Sequence, residues 1–342
     1  MTASPRSYDF SGSAAVAMFA SVIRKLVVRN FRGFEKLELD GLRRVNLIVG
    51  KNNCGKTSLL EAIFLSCQPP LLHNEIPRQL RTQPPNTERD YFRWLVRDGT
   101  RDEAWILREP SESRVLMAGP LHRLSKGGPW LHGVKHVDTP AFEMAVGRNF
   151  AQLNCRVVSL GPRTQDALTQ LLDLVLSRKD GEESMEDMLR RVDPRLKKVR
   201  VRAPQGEAPF IELDLGLSER MPLAQAGHGM SRLVALFSEL LAQKTDVCLV
   251  DEVENGLHYS LLPQLWRGIA TVARDRGVQV FVTTHSYECV EAAHEAMSTE
   301  PDYDFSIVQL FRSETDKPLD VQGRVLDRSL IEAAIQGDVD LR

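Results

Sequence analysis

The stretch Gly50-Lys51-Asn52-Asn53-Cys54-Gly55-Lys56-Thr57-Ser58 follows the apolar run VNLIV and opens TSLLEAIFL, where Leu59, Leu60 and Ile63 share a helical face. A Gly-rich turn between a buried strand and a helix start gathers backbone N–H groups around an anion, and the positive end of the helix favours negative charge there. Lys56 then reaches the β and γ phosphates of a nucleotide, and Thr57 offers a hydroxyl to magnesium. Asn52, Asn53, Gly55 and Ser58 complete the expected cradle. The pattern alone leaves adenine nucleotides, guanine nucleotides and kinase chemistry open, although no Asn-Lys-x-Asp guanine-reading sequence occurs. Strands and helices alternating around apolar strand cores indicate an α/β sheet.

Upstream of the loop, IRKLVVRN, EKLELD and RRVNLIVG read as three strands, with FRGF turning between the first two. AWILREP and SRVLMAG read as strands of an antiparallel sheet, residues 70–100 are rich in Pro and Arg, and 120–150 are punctuated by Gly and Pro. TQDALTQLLDLVLSRK and the shorter SMEDMLRRVDPRL are expected helices of a side lobe spanning 120–200 within a head domain of 22–340. Residues 1–21 read as a floppy leader. After the strand-like KKVRVRAP and FIELDLG, the segments HGMSRLVALFSELLAQK, DVCLVDE, SLLPQLWRGIATVARDRG, VQVFVTTHS, YECVEAAHEA, FSIVQLFR and RSLIEAAI alternate helix with strand.

The run VCLV delivers Asp251 and Glu252 at the C-terminal end of a buried strand, where ligands collect in open α/β sheets. Asp251 is suited to hold magnesium, directly or through water, and Glu252 to orient or deprotonate an attacking water. The competing reading, a solvated loop that happens to begin with Asp-Glu, fits poorly with the apolar residues before it. Glu254 is open between loop structure, an intersubunit contact and direct chemistry. Asn255-Gly256 suits a tight turn, and His258 either a polar contact or a structural role. The strand VQVFVTT delivers His285 beside Ser286, where an imidazole senses a γ phosphate through one nitrogen while a neighbour fixes the other.

With the phosphate loop, AGHGMSR, LVDEVENGLH and VTTHS in that order, the chain resembles the ABC-type ATPases of the SMC and RecF class. It is most similar to the overcoming-lysogenization-defect (OLD) group and related stand-alone AAA ATPases, over 22–68 and 208–340. The resemblance implies an α/β P-loop NTPase of ABC/SMC head type, with an antiparallel N-terminal sheet and a helical side lobe. It also implies that the NFRG segment brings Arg32 near the nucleotide. Gly227, Gly229, Met230 and Ser231 would form a signature element facing the γ phosphate held by a second copy; independently of family, glycines, a hydroxyl and a helix start can receive an anion. ATP and Mg2+ are the implied cofactors and an ATP-joined homodimer the implied active form. Double-stranded DNA or a separately encoded nuclease or other effector is the implied partner, in genome maintenance or antiviral defence. The alternative is a nucleotide-gated scaffold with very slow turnover; a small-molecule kinase lacks an acceptor motif. The chain departs from the pattern in three ways. No long coiled coil interrupts it, Gln68, Gln79 and Gln83 do not match the magnesium-reporting glutamine securely, and the 57 residues after His285 are too few for the OLD nuclease domain. Asp302 and Asp304 in PDYDF read as a strand-leading turn rather than a metal site.

Composition decides less. A net charge of −2 neither requires nor excludes a nucleic-acid surface, while five scattered cysteines without a CxxC point to reduced thiols and a cytoplasmic protein. No apolar run is long enough to span a membrane as a helix. The basic segment RRVDPRLKKVRVR, 190–202, would track a phosphate backbone if its side chains share a face, but the preceding acidic DGEESMED can compensate it internally.

Overall fold

The five residues of the strand feeding the phosphate loop, β3 (Val45–Val49), are all buried, as expected for a strand covered on both faces. The computed structural model describes residues 23–67, 95, 97, 103–109, 113–118, 143–146, 151–158, 165–242, 244–312, 320–337, 339 and 341. The expected leader, the three candidate glutamines and most of 70–100 and 120–150 lie outside these residues.

Two strands before β3, β1 (Lys25–Phe31) and β2 (Phe34–Asp40), form a hairpin. Helix α1 (Lys56–Cys67) follows the loop. Strands β4 (Glu103–Glu109), β5 (Ser113–Ala118) and β6 (Glu143–Val146) extend the hairpin into an antiparallel sheet of order β2-β1-β4-β5-β6. Strand β7 (Cys155–Val158) leads to helices α2 (Gln165–Leu176) and α3 (Lys179–Val192). A small sheet follows, of β8 (Lys198–Arg202), β9 (Phe210–Asp214) and β10 (Met221–Pro222). The remaining elements are α4 (His228–Ala242), β11 (Val247–Val250), α5 (Leu262–Arg276), β12 (Gln279–Thr283), α6 (Tyr287–Ser298), β13 (Phe305–Arg312), β14 (Val321–Leu326) and α7 (Arg328–Gln336).

The central sheet has the order β14-β13-β3-β12-β11-β7, parallel except for β14. Because side chains alternate along a strand, Val45, Leu47 and Val49 enter one core with Cys248 and Val250, while Ile48, Val247 and Leu249 enter the other. The first core contains residues of α2 through α6; the second contains residues of α1, β1, β2 and β4. Helix α1 is buried on nearly every side from Leu59 to Cys67, since it lies between two sheets and has no solvent-facing stripe. Gln279, at the start of β12, ties the layers together by accepting from Ile23 N at 2.7 Å and donating to the carbonyls of Ile23 and Arg43 at 2.9 and 2.8 Å.

The fold is thus the expected α/β P-loop-type arrangement with a mixed sheet and a helical lobe. Two segments inside 120–200 depart from the expected side lobe: β6 belongs to the antiparallel sheet and β7 is an edge of the central one. Short strands such as CRVV carry too little periodicity to be separated from loop. Helix α3 begins at Lys179, earlier than expected, and ends before Pro194, where the residue preceding a proline leaves helical geometry. Helices α2 and α3 also supply Leu172, Val175, Met185 and Leu189 to the main core, so they are packed into the head. Among the described residues, no helix is long and apolar enough to cross a membrane, and all five cysteines are buried and free.

Candidate active site

Strand order alone brings the chemistry together. β12 lies between β3 and β11 and runs parallel to both, with Thr283 level with Ile48 and Val282 with Val250. Whatever leaves the end of β12 therefore falls between the phosphate loop and the acidic pair, and what leaves it is His285.

The loop turns through Asn53 and Gly55, both at positive φ, 63° and 87°. Asn52 and Asn53 are exposed, Thr57 and Ser58 half-buried, and the Asn53 carbonyl accepts from Arg312 Nη2 at 2.9 Å. Lys56 is buried, and its Nζ donates to the carbonyls of Gly50 at 2.6 Å and Lys51 at 3.1 Å and contacts His285 Nδ1 at 3.2 Å. Burial pulls the Lys56 ammonium below the ordinary lysine range, against the neighbouring Cys54, Asp251, Glu252 and Glu254.

Asp251 and Glu252 leave β11 as the sequence requires. Thr57 Oγ1 donates to Asp251 Oδ2 at 3.0 Å, and Thr283 Oγ1 donates to Asp251 Oδ1. Burial pushes the Asp251 carboxyl above its ordinary value although both hydroxyl bonds oppose this. Glu252 sits at φ 49°, in the left-handed region, held there by its own N–H donating to Thr283 Oγ1 at 2.7 Å. Its Oε2 accepts from Asn255 Nδ2, and its Oε1 meets His285 Nε2 at 3.2 Å. Since an ammonium only donates and a carboxylate only accepts, this chain of contacts places the imidazole proton on Nε2 and the lone pair toward Lys56. The main-chain N–H of His285 donates to Glu254 Oε1.

Two participants were not legible as such in the sequence. Thr283 serves both Asp251 and Glu252; a polar residue ending an otherwise apolar strand was its only signal. Glu254, open between roles, is bound to the backbone of His285.

Arg32 is brought to the phosphate-loop helix: its Nε and Nη2 donate to the two oxygens of buried Glu61, each at 3.0 Å. The signature segment lies against the turn that follows the acidic pair. Gly227 has φ 86°, and Gly229 is so close to Leu261 Cδ1 that an added Cβ would lie 2.7 Å away. Ser231 Oγ turns back to the carbonyls of Gly227 at 3.2 Å and Leu223 at 3.4 Å. Burial lowers the Arg232 guanidinium, opposed by the charges of Glu254 and Glu252. His258 Nδ1 contacts Ser260 Oγ at 2.9 Å and caps a short 3-10 turn, so its role here is structural. Asp304 accepts from Arg44 N at 3.1 Å at the start of β13, the strand-leading turn expected. Four of the seven cations in 190–202 are ion-paired: Arg190 with Asp187 at 2.6 Å, Arg195 with Asp193 at 2.8 Å, Lys198 with Glu182 at 3.3 Å and Arg202 with Glu212 at 2.9 Å.

Among the described residues, no group of three or more His, Cys, Asp or Glu side chains is arranged to hold a metal. Thr57 and Asp251 nevertheless suit magnesium, which is usually held by one or two protein oxygens together with phosphates and water.

The model described as AAA ATPase domain matches 22–83, and the model described as AAA domain, putative AbiEii toxin, Type IV TA system matches 141–291. An ATP/GTP phosphatase of Helicobacter pylori is 22% identical, over 79% of this chain and 87% of that protein. The DNA replication and repair protein RecF of Clostridium acetobutylicum is 28% identical over 110 residues, 31% of this chain and 24% of RecF. The SmcHead bound to the C-winged helix domain of ScpA superposes with a TM-score of 0.54 at 12% identity, covering 92% of this chain and 99% of that one. The chain is related to AAA/ABC-type ATPases and shares the head fold of SMC proteins; OLD membership is not among these likenesses.

Proposed function

We propose that the protein hydrolyses ATP with magnesium in a homodimer that encloses two nucleotides, and that the resulting opening and closing acts on DNA or on a separate effector. The observation that carries the reading is the single imidazole of His285, 3.2 Å from Lys56 on one side and 3.2 Å from Glu252 on the other. Three segments far apart in sequence converge where a terminal phosphoryl group would be held, beside an acid suited to deprotonate water.

Lys56 and the N–H groups of the loop hold the phosphates, exchanging the bonds that Lys56 makes to Gly50 and Lys51. Thr57 and Asp251 would hold magnesium, which supplies charge neutralisation for the leaving phosphates when bound. Glu252 takes the proton of the attacking water, and His285 Nε2–H, exchanging Glu252 Oε1 for a phosphoryl oxygen, donates to the developing charge. Asn52, Asn53, Gly55 and Ser58 line the cradle, and Arg32 stiffens it through Glu61. Gly227, Gly229 and Ser231 face the γ phosphate bound by the second copy. The RecF and SMC relatives support a DNA-linked or partner-linked output, whereas the internal pairing of 190–202 makes that segment a poor sole DNA contact. The active form rests in the cytoplasm on this reading, with antiviral defence or repair as its setting.

ATP turnover measured against protein concentration, with and without duplex DNA, tests the reading. Specific activity is expected to rise until dimers saturate, and Glu252→Gln to accumulate ATP-bound dimers. Turnover independent of concentration, together with an active Glu252→Gln protein, contradicts it. Dimers without measurable turnover support the slow nucleotide-gated scaffold instead.

A further inference from the structure

Glu254 has no place in the chemistry above, yet both its oxygens are accounted for unusually. Oε1 accepts the main-chain N–H of His285. Oε2 is buried with no hydrogen-bond partner, a costly arrangement for a carboxylate oxygen. The residue lies in a tightly bonded turn: Val253 N donates to Thr283 O at 3.2 Å, Asn255 N to Glu252 O at 3.1 Å, and Leu257 N to Glu254 O at 2.9 Å. A solvated loop acid would have neither the backbone bond nor the buried oxygen.

We propose, resting on the ATPase reading, that Glu254 is a positioning residue. It fixes His285 through the main-chain amide between Lys56 and Glu252. Because His285 contacts both Lys56 and Glu252, a shift of its backbone moves the sensor and general base together.

The test uses the full chain. In the backbone NMR spectrum, the His285 amide proton is expected downfield, because its acceptor is a carboxylate, and to move upfield in Glu254→Ala. Glu254→Gln, which keeps an acceptor oxygen, is expected in between, and it carries the test where the alanine variant does not fold. In turnover, Glu254→Ala is expected to lower kcat by roughly 10- to 100-fold, with KM for ATP changed by less than about twofold. An unmoved His285 amide or a loss confined to KM overturns the proposal. The amide shift needs no hydrolysis: a protein without turnover but with the shift would refute the ATPase reading and leave the positioning role standing.

Discussion

The phosphate loop and the signature segment are both glycine-bearing turns that open a helix, yet they are built differently. Around the loop the reacting groups are tied together: Lys56 to two carbonyls and His285, Thr57 to Asp251, Glu252 through its main-chain N–H to Thr283 and through its carboxylate to Asn255 and His285. Ser231 instead bonds only within its own turn in the contacts described, and Gly227 has nothing within 4 Å of where a Cβ would stand. Gly50, by contrast, would set a Cβ 2.3 Å from the Leu310 carbonyl oxygen, at φ 146°. On the proposed reading, one element is half of a preorganised site, and the other would meet an anion held by a second copy.

The comparison can be broken most sharply at its chemical centre. Glu252→Gln is expected to reduce turnover about 10³-fold while sparing ATP binding, as read by single-turnover kinetics and nucleotide-binding fluorescence; an equal loss of binding would move Glu252 into the cradle. Ser231→Arg should lower turnover on the order of 10²-fold and leave ATP binding by the monomer intact, and loss of monomer binding would merge the two elements into one. In denaturant unfolding, Gly50→Ala is expected to cost about 3 kcal/mol from the carbonyl clash and backbone strain. Gly227→Ala should cost only about 1 kcal/mol, because strain acts there without a clash. Similar costs would show the signature turn to be as constrained as the loop.

The smallest effect concerns pH. Asp251 has a folded-state pKa above its ordinary 3.8, so its contribution to stability is complete below that value and is lost as pH rises through the raised one. The stability of Asp251→Asn relative to the wild-type protein should therefore rise with pH across this interval, measured by thermal unfolding of both without nucleotide. A difference that falls with pH contradicts the assigned direction.

How much of this was readable beforehand follows from the physics of each signal. The loop, the acidic pair and His285 each end an apolar strand, and strand apolarity is visible locally. The order β3-β12-β11, which puts His285 between the other two, is a long-range pairing that no local pattern carries. For the same reason Thr283 looked like any strand threonine and Glu254 like a loop acid. Strand β14 escaped because this edge strand buries only Val321 and Leu326, and β7 because four residues carry too little periodicity although Cys155, Val157 and Val158 are buried. The basic run at 190–202 was legible as charge but not as pairing, since Glu212 meets Arg202 across the β8–β9 ladder.

The central claim is that each copy supplies the loop, acid and histidine of one site and the signature of the other. Mixing Lys56→Ala protein with Ser231→Arg protein, each expected to be nearly inactive alone, tests this directly. Random pairing should restore roughly a quarter of wild-type turnover, because half the dimers then carry one intact composite site. A mixture no more active than its components, beside a Ser231→Arg protein that turns over at the wild-type rate unaided, would contradict the shared site.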